Sequence, residues 1–203
     1  MADQVRYRVT PAQLEADTRA AMTRHDWGAV ARLATALDAY DAPRPANLLG
    51  AALWYAEQGQ PVYPCRPLDK LPLPGSRGFK DATTDPDRIR AWWDNEPTAN
   101  VAIPTGVLFD VWDFDGETGH TSWGAYGFRD NDDGWGGETV LGTCSTPRPG
   151  GLHVYVSPTG DGNKAGILPG VDYRGAGGYV LAPPSRTNRG TYRYLRPPTF
   201  PET

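Results

Sequence analysis

The sequence predicts an α+β protein, because its helical patterns lie in the first 95 residues, with one short strand pattern at "PVYPC", and mostly strand patterns follow. Apolar side chains recur at helical spacing in the early segments. The later segments are short, rich in β-branched and aromatic residues, and separated by glycine and proline. With 203 residues, of which 39% are hydrophobic, the chain can bury one substantial core. One catalytic-size domain is therefore the default.

Composition excludes several classes of protein. No stretch approaches the roughly 18 apolar residues of a membrane span, and the N-terminus is charged where a signal peptide needs an apolar core. Two cysteines and three histidines are too few for a disulfide framework or a CxxC-type zinc site. We therefore expect a cytoplasmic protein without membrane segments, in which Cys65 and Cys144 are buried apolar residues.

The net charge of −4 argues against a strongly cationic surface for nucleic acid, but the charge is unevenly distributed. From residue 142 onward there are seven Lys or Arg against three acids. This basic part of the chain can face phosphates.

The helices are predicted from caps and apolar spacing, at 11–24, 27–40, 45–58 and from Thr84-Asp85-Pro86 onward. A long loop rich in proline and glycine separates the last two, at 66–83. The polar segment 129–138 is predicted to be an exposed loop. Strands are predicted at 100–104, 107–115, 139–145, 152–156, 170–174, 178–182 and 191–195. We expect a helical appendage, a catalytic domain and the start of a proline-rich linker, at 1–44, 45–196 and 197–203.

The apolar strand in "GVLFDVWDFDGETGH" ends in aspartates. Side chains alternate along a strand, so Asp113 and Asp115 are predicted to share one face while Asp110 faces the other way. Carboxylates at i and i+2 are close enough to bridge divalent cations, and hard oxygen donors suit Mg²⁺ or Mn²⁺. A solvated turn closed by Gly116 is an equally good explanation of this pattern alone. Asp110 is expected to be structural or exposed.

A glycine loop lies between two strands in "STPRPGGLHVYV". Gly150 and Gly151 permit close approach of the backbone to phosphate oxygens, and Arg148 supplies positive charge. His153 follows on the next strand. A single histidine in a strand is more often a hydrogen-bonded core residue than a functional one, but its place after a basic glycine loop favours function.

A third motif is "GVDYRGAGGYVLAPPS". Asp172 and Arg174 share a strand face, and the glycines after them predict a tight reversal into the next strand. One interpretation is a plain hairpin with a surface ion pair. The other is a three-carboxylate metal site, if the sheet places Asp172 beside Asp113 and Asp115.

Taken in this order, and preceded by "KDATTDPDRIRAWWDNEPTANVAIPTG", these motifs resemble the N-terminal domain of bifunctional DNA primase/polymerases. This is the prim-pol branch of the archaeo-eukaryotic primase superfamily, and the resemblance runs from about Leu48 to Leu195. It implies a prim-pol fold, in which an α/β part packs on an RRM-like part with the active site in the cleft between them.

The resemblance also implies template-directed nucleotidyl transfer by two Mg²⁺ or Mn²⁺ ions, held by Asp113, Asp115 and Asp172. His153 would contact the phosphates of the incoming NTP or dNTP. Around the triphosphate we place a further set of residues, of which the two lysines are the weaker candidates: Thr146, Arg148, Gly150, Gly151, Arg174, Lys70 and Lys80. Asn100 and Thr105 either line the cleft or serve packing. The expected partners are a single-stranded DNA template and a fused or separate helicase.

Three functions stay open from the sequence. The first is a primase/polymerase that makes or extends primers in replication of the phage or plasmid type. The second is a non-catalytic DNA- or nucleotide-binding module of a replication initiator. The third is a metal-dependent nuclease, which would use the same three carboxylates. The Gly-Gly-Leu-His loop favours the first, because a triphosphate needs such a loop and a nuclease does not.

Overall fold

Two antiparallel sheets and a two-stranded ribbon organise the chain in the computed structural model, which describes residues 11–24, 47–126, 140–198 and 200. The helices are α1 (Pro11–Thr23), α2 (Leu48–Glu57), α3 (Pro86–Asn95) and α4 (Gly116–Tyr126), with a 3-10 turn at Gly78–Asp81. The strands are β1 (Tyr63–Cys65), β2 (Asn100–Pro104), β3 (Asp110–Phe114), β4 (Val140–Ser145), β5 (Leu152–Val156), β6 (Lys164–Leu168), β7 (Val171–Arg174), β8 (Tyr179–Leu181), β9 (Arg186–Thr187), β10 (Gly190–Thr191) and β11 (Arg193–Arg196). The predicted α+β class is confirmed.

Polar caps start helices α2 and α3. The Asn47 side chain accepts a hydrogen bond from the Gly50 N–H at the start of α2, at 2.7 Å. Asp85 accepts from the N–H groups of Asp87 and Arg88 at the start of α3, and Pro86 occupies the first helical position. The predicted start of α3 is therefore confirmed.

The small sheet has the order β1-β2-β8 and shares a core with α2, α3 and one face of the large sheet. Tyr55 and Trp93 come from the helices. Val111 and Tyr155 come from the large sheet, and Phe109 directly precedes β3. Cys65 and Cys144 are both buried in this core and both are free thiols, as the composition predicts.

The large sheet has the order β11-β4-β5-β3-β7-β6. Its other face carries Trp112 and Phe114, which pack with Trp123 of α4 and Ala21 of α1 in a second core. Ring centroids of Trp112 and Trp123 are 4.8 Å apart. Strand β3 therefore separates two cores and has a hydrogen-bonded neighbour on each side.

Several expectations differ from the structure. The predicted reversal after β7 is not a hairpin, because β7 belongs to the large sheet whereas β8 pairs with β2 in the small one. Helix α4 and strand β6 were not predicted, and β3 is shorter than the predicted 107–115. The predicted helix 27–40 and loop 129–138 lie outside the described residues.

Two observations bear on the ends of the chain. Ala21, inside the predicted appendage, is fully buried against the large sheet. Phe200, inside the predicted linker, has its ring centroid 5.4 Å from that of Trp54. None of the described helices is long and apolar enough to cross a membrane.

Candidate active site

Strand register brings three of the predicted site residues together. Asp113 of β3 lies opposite His153 of β5 on one side and opposite Asp172 of β7 on the other. Opposite residues of antiparallel strands project from the same face of a sheet. The three side chains therefore form a row across the centre of the large sheet.

The row is tied together by polar contacts and by Arg174 of β7. The His153 Nε2 lies 3.4 Å from Asp113 Oδ1, and an Arg174 guanidinium nitrogen lies 3.5 Å from Asp113 Oδ2. The same guanidinium nitrogen donates to Asp172 Oδ2. The Gly166 N–H donates to Asp172 Oδ1 at 2.6 Å. Both carboxylates are thus compensated by one arginine.

Electrostatics keep Asp113 ionised. Burial raises the pKa of its carboxyl, but His153, then Arg174 and Lys70, more than offset burial and lower the pKa to about 2. At neutral pH Asp113 is therefore a carboxylate with only acceptor atoms, directed at cations and hydrogen-bond donors.

Asp115 lies just beyond the end of β3, where the chain turns into α4 at Gly116 (φ 68°). Its N–H donates to the Gly170 carbonyl at 2.8 Å, and its half-exposed carboxylate lies 3.2 Å from Arg148 Nε. Asp115 and Arg148 therefore form an ion pair at the margin of the row rather than inside it.

Asp110 faces away from the row, as strand alternation predicts. It is fully buried, and its Oδ2 accepts hydrogen bonds from the Thr159 N–H at 2.8 Å and the Tyr173 hydroxyl at 2.6 Å. Asp110 is a structural residue of the opposite face.

The glycine loop is a closed turn. The Thr146 N–H donates to the Gly151 carbonyl, and the Gly151 N–H donates to the Arg148 carbonyl, at 3.0 and 2.8 Å. A Cβ at Gly151 would lie 2.1 Å from Thr146 Oγ1 and 3.0 Å from the Arg148 carbonyl oxygen, so these neighbours must shift to admit any larger residue. Gly150 has φ 69°, a backbone conformation that favours glycine.

His120 of α4 anchors this loop and was missed by sequence analysis. Its Nε2 is 2.7 Å from the Gly150 carbonyl oxygen, and its buried ring stacks on Phe114 with centroids 5.2 Å apart. Because α4 itself was not predicted, no signal pointed to His120.

A cavity of about 210 Å³ opens beside the row, between the large sheet and the β8 edge of the small sheet. It is lined by Asp113 and His153, by the cationic side chains of Lys70 and Arg174, by Asn163 and Tyr192, and by residues 177–181. Tyr192 is a further residue that sequence analysis missed; it is buried, with its ring centroid 5.6 Å from that of His153. The cavity thus combines two residues of the row, Asp113 and His153, with cationic walls, whereas Asp172 is not part of its lining.

The other predicted site residues lie around the cavity rather than in its lining. Lys80 is exposed in the 3-10 turn, and the glycine loop with Arg148 lies beside Asp115 and Gly116. The Thr105 hydroxyl donates to the Gly175 carbonyl at 2.6 Å, so Thr105 holds the segment that leads into β8.

Asp113 and Asp172 are the residues of the row that could hold a metal ion. Across the described part of the chain, no group of three or more His, Cys, Asp or Glu side chains is arranged to hold a metal ion. The donor chemistry of Asp113 and Asp172 nevertheless fits a hard divalent cation, because two carboxylates face each other and already share one positive charge. A cation bound there would take the place of Arg174.

The cavity therefore places the Asp113 carboxylate and His153 next to the cationic side chains of Lys70 and Arg174. The sequence model of the bifunctional DNA primase/polymerase N-terminal family matches residues 52–203. The chain belongs to this family, which implies DNA primase/polymerase activity in general, with DNA and nucleotides as substrates. A comparison with curated proteins finds no match.

Proposed function

We propose that the chain is a template-directed DNA primase/polymerase that joins an NTP or dNTP to a 3′-hydroxyl, and so makes or extends primers on single-stranded DNA. Replication of the phage or plasmid type is the proposed context. The observation that carries the proposal is the row of His153, Asp113 and Asp172, of which the first two line a cavity with cationic walls. A helicase, fused or separate, is the proposed partner, since unwinding supplies the single-stranded template.

The carboxylates are proposed to hold Mg²⁺ or Mn²⁺. Asp113 and Asp172 face each other, and Asp115 lies two residues beyond Asp113, so these three would be the ligands. Held by these residues, two ions would supply a lower pKa for the attacking hydroxyl and neutralisation of the triphosphate and of the leaving pyrophosphate.

The cationic and neutral donors are proposed to bind and orient the triphosphate. Lys70, His153 and Arg174 line the cavity next to Asp113, within reach of a ligand placed there. Arg148 and the glycine loop would engage phosphate only after Arg148 leaves Asp115, because the two are paired in the structure. Correct placement of the α-phosphate against the primer terminus is then the chief contribution of these side chains.

The test is nucleotide incorporation on a single-stranded template, with and without an annealed primer, in Mg²⁺ and in Mn²⁺. Metal-dependent synthesis by the wild type that is lost in Asp113→Ala/Asp115→Ala supports the proposal, and the lane without primer decides whether the enzyme also initiates. A folded wild type that binds DNA without regard to divalent metal and incorporates nothing would be a binding module. Shortening of the DNA in place of extension would identify a nuclease.

A further inference from the structure

The side chain of Asn100, at the start of β2, joins three parts of the chain beneath the cavity. It is fully buried. Its Nδ2 donates to the carbonyls of Asp69 at 2.9 Å and Arg186 at 2.7 Å, and lies 3.3 Å from the Arg66 carbonyl. Its Oδ1 accepts from the Arg186 N–H at 2.9 Å. One amide therefore fixes both the 66–69 segment and β9 to the small sheet.

The residue after this segment is Lys70, whose side chain lines the cavity with Asp113. The Lys70 N–H donates to Asp69 Oδ1 at 2.7 Å, and its carbonyl accepts from the Tyr179 hydroxyl at 3.1 Å. The backbone of Lys70 is thus held on both sides, by Asp69 next to the Asn100 amide and by Tyr179 of the cavity wall. These anchors fix the backbone position from which Lys70 reaches the cavity.

The loop is held in a conformation that it would not choose by itself. Leu68 has φ 58°, a left-handed conformation that disfavours a leucine by about 1 kcal/mol or more. Leu68 gains little from burial in return, because 47% of it is exposed. Its backbone forms an isolated β-bridge with Thr187 of β9. Because this strain is not offset by packing, we infer that the conformation of the segment serves the placement of Lys70.

We propose that Asn100 and Tyr179 are positioning residues, which hold Lys70 so that its ammonium group binds the triphosphate of the incoming nucleotide. The inference rests on the proposed function for the identity of the ligand. It assigns Asn100 a role through Lys70, and not a contact with the nucleotide.

Gln60 offers a matched control for a merely structural role of a buried amide. It is also fully buried in the N-terminal half, and its Nε2 donates to the Pro104 carbonyl at 2.9 Å, at the opposite end of β2 from Asn100. Replacing either amide by an apolar side chain of similar shape, Asn100→Leu or Gln60→Met, removes buried hydrogen bonds. Only the first change reaches the loop that carries Lys70.

The experiment is a double-mutant cycle on the dissociation constant of dATP with Mg²⁺, measured by titration in the absence of DNA. Lys70→Ala and Asn100→Leu should each weaken binding about tenfold, since the first removes the charge-assisted contact of Lys70 and the second displaces it. Asn100→Leu in the Lys70→Ala background should cause no further change, because its effect passes through Lys70. Gln60→Met should lower the melting temperature and leave the dissociation constant unchanged.

Tyr179→Phe removes the hydroxyl of Tyr179 and keeps its ring. The ring centroid of Tyr179 lies 5.6 Å from that of Tyr63, and this packing is retained in the variant. It should fold normally and weaken binding by less than Asn100→Leu, again only when Lys70 is present. Equal effects of Asn100→Leu with and without Lys70, or the same loss in Gln60→Met, would overturn the inference. So would a wild type that binds no triphosphate. Nucleotide incorporation, assayed in parallel, separates this inference from the proposed function. A wild type that binds dATP but never incorporates it refutes the polymerase, whereas the double-mutant cycle on dATP binding still tests the roles of Asn100 and Tyr179.

Discussion

Asp113 and Asp172 lie directly opposite each other on β3 and β7, and a single guanidinium, that of Arg174, contacts both carboxylates. Carboxylates at opposite positions of neighbouring strands repel each other, and a cation between them removes the repulsion. The chain supplies that cation itself. A divalent ion must therefore compete with Arg174 for the same oxygens.

We expect Arg174→Met to make the stability of the protein depend on divalent cations. Without the guanidinium, Asp172 loses its ion pair and Asp113 keeps only His153 and Lys70, which lowers the melting temperature in EDTA. Added Mn²⁺ should then raise the melting temperature more in the variant than in the wild type, because the ion no longer competes with an arginine. Lys164→Met, which removes the exposed ion pair with Asp161, is the control and should show the wild-type response. Equal Mn²⁺ shifts in Arg174→Met and the wild type would contradict the prediction.

The two faces of β3 predict opposite outcomes for the same substitution. Asp113→Ala should reduce incorporation by about 10²-fold or more with little effect on folding, because Asp113 lies at the cavity. Asp110→Ala should lower the free energy of unfolding by about 1–3 kcal/mol, because the Tyr173 hydroxyl and the Thr159 N–H lose their acceptor. Incorporation rates and urea unfolding, measured for both variants, distinguish a loss of activity from a loss of stability. An inactive, fully stable Asp110→Ala beside an active Asp113→Ala would reverse our assignment.

Gly151→Ala should distort the glycine loop. A methyl group there would meet Thr146 Oγ1 at 2.1 Å and the Arg148 carbonyl at 3.0 Å, so the Thr146 side chain must rotate and the turn must shift, at a cost of about 1–3 kcal/mol in stability. We expect a higher KM for the nucleotide together with this loss. Gly124→Ala in α4 is the control, since nothing lies within 4 Å of the added carbon and alanine favours the helix by about 0.5–1 kcal/mol. A Gly151→Ala variant with wild-type KM would show that the loop does not contact the triphosphate.

The two thiols should be inert in the native protein. Burial raises the pKa of Cys65 to about 12 and that of Cys144 further above its usual value. At pH 8 almost no thiolate is present at either residue, so modification should require global unfolding. Both thiols should then react together in denaturant. A rapid reaction of one equivalent of thiol in native buffer would disagree with the structure.

The buried strands were predicted well because their sequences carry the signal. The predictions for β2 and β5 match the observed bounds, since continuous apolar runs between turn residues leave few alternatives. The motifs also identified Asp113, His153 and Asp172, but their adjacency depends on the register of strands that are distant in sequence. That register depends on the pairing of the whole sheet and cannot be predicted from any one of the three segments alone.

The misses have physical causes. Helix α4 contains Gly116, Gly119 and Gly124, which oppose a helix locally, and its packing through Trp123 against Trp112 overrides that preference. The turn after β7 looked like a hairpin because glycines permit one, but β8 finds a partner in β2 instead. The contacts of His120 and Asn100 were not predicted either, because each side chain bonds to a backbone carbonyl that is distant in sequence, that of Gly150 and that of Asp69.

The central place of β3 has a consequence for motion. Asp113, His153 and Asp172 belong to three adjacent strands, so no local opening can separate them without breaking the middle of the hydrogen-bonded ladder. Amide exchange in these strands should therefore occur only with the free energy of global unfolding, whereas the edge strands β6 and β11 open more easily. The three site residues keep their mutual geometry for as long as the molecule stays folded, and a distant destabilising substitution lowers the fraction of working molecules without altering the site in those that remain.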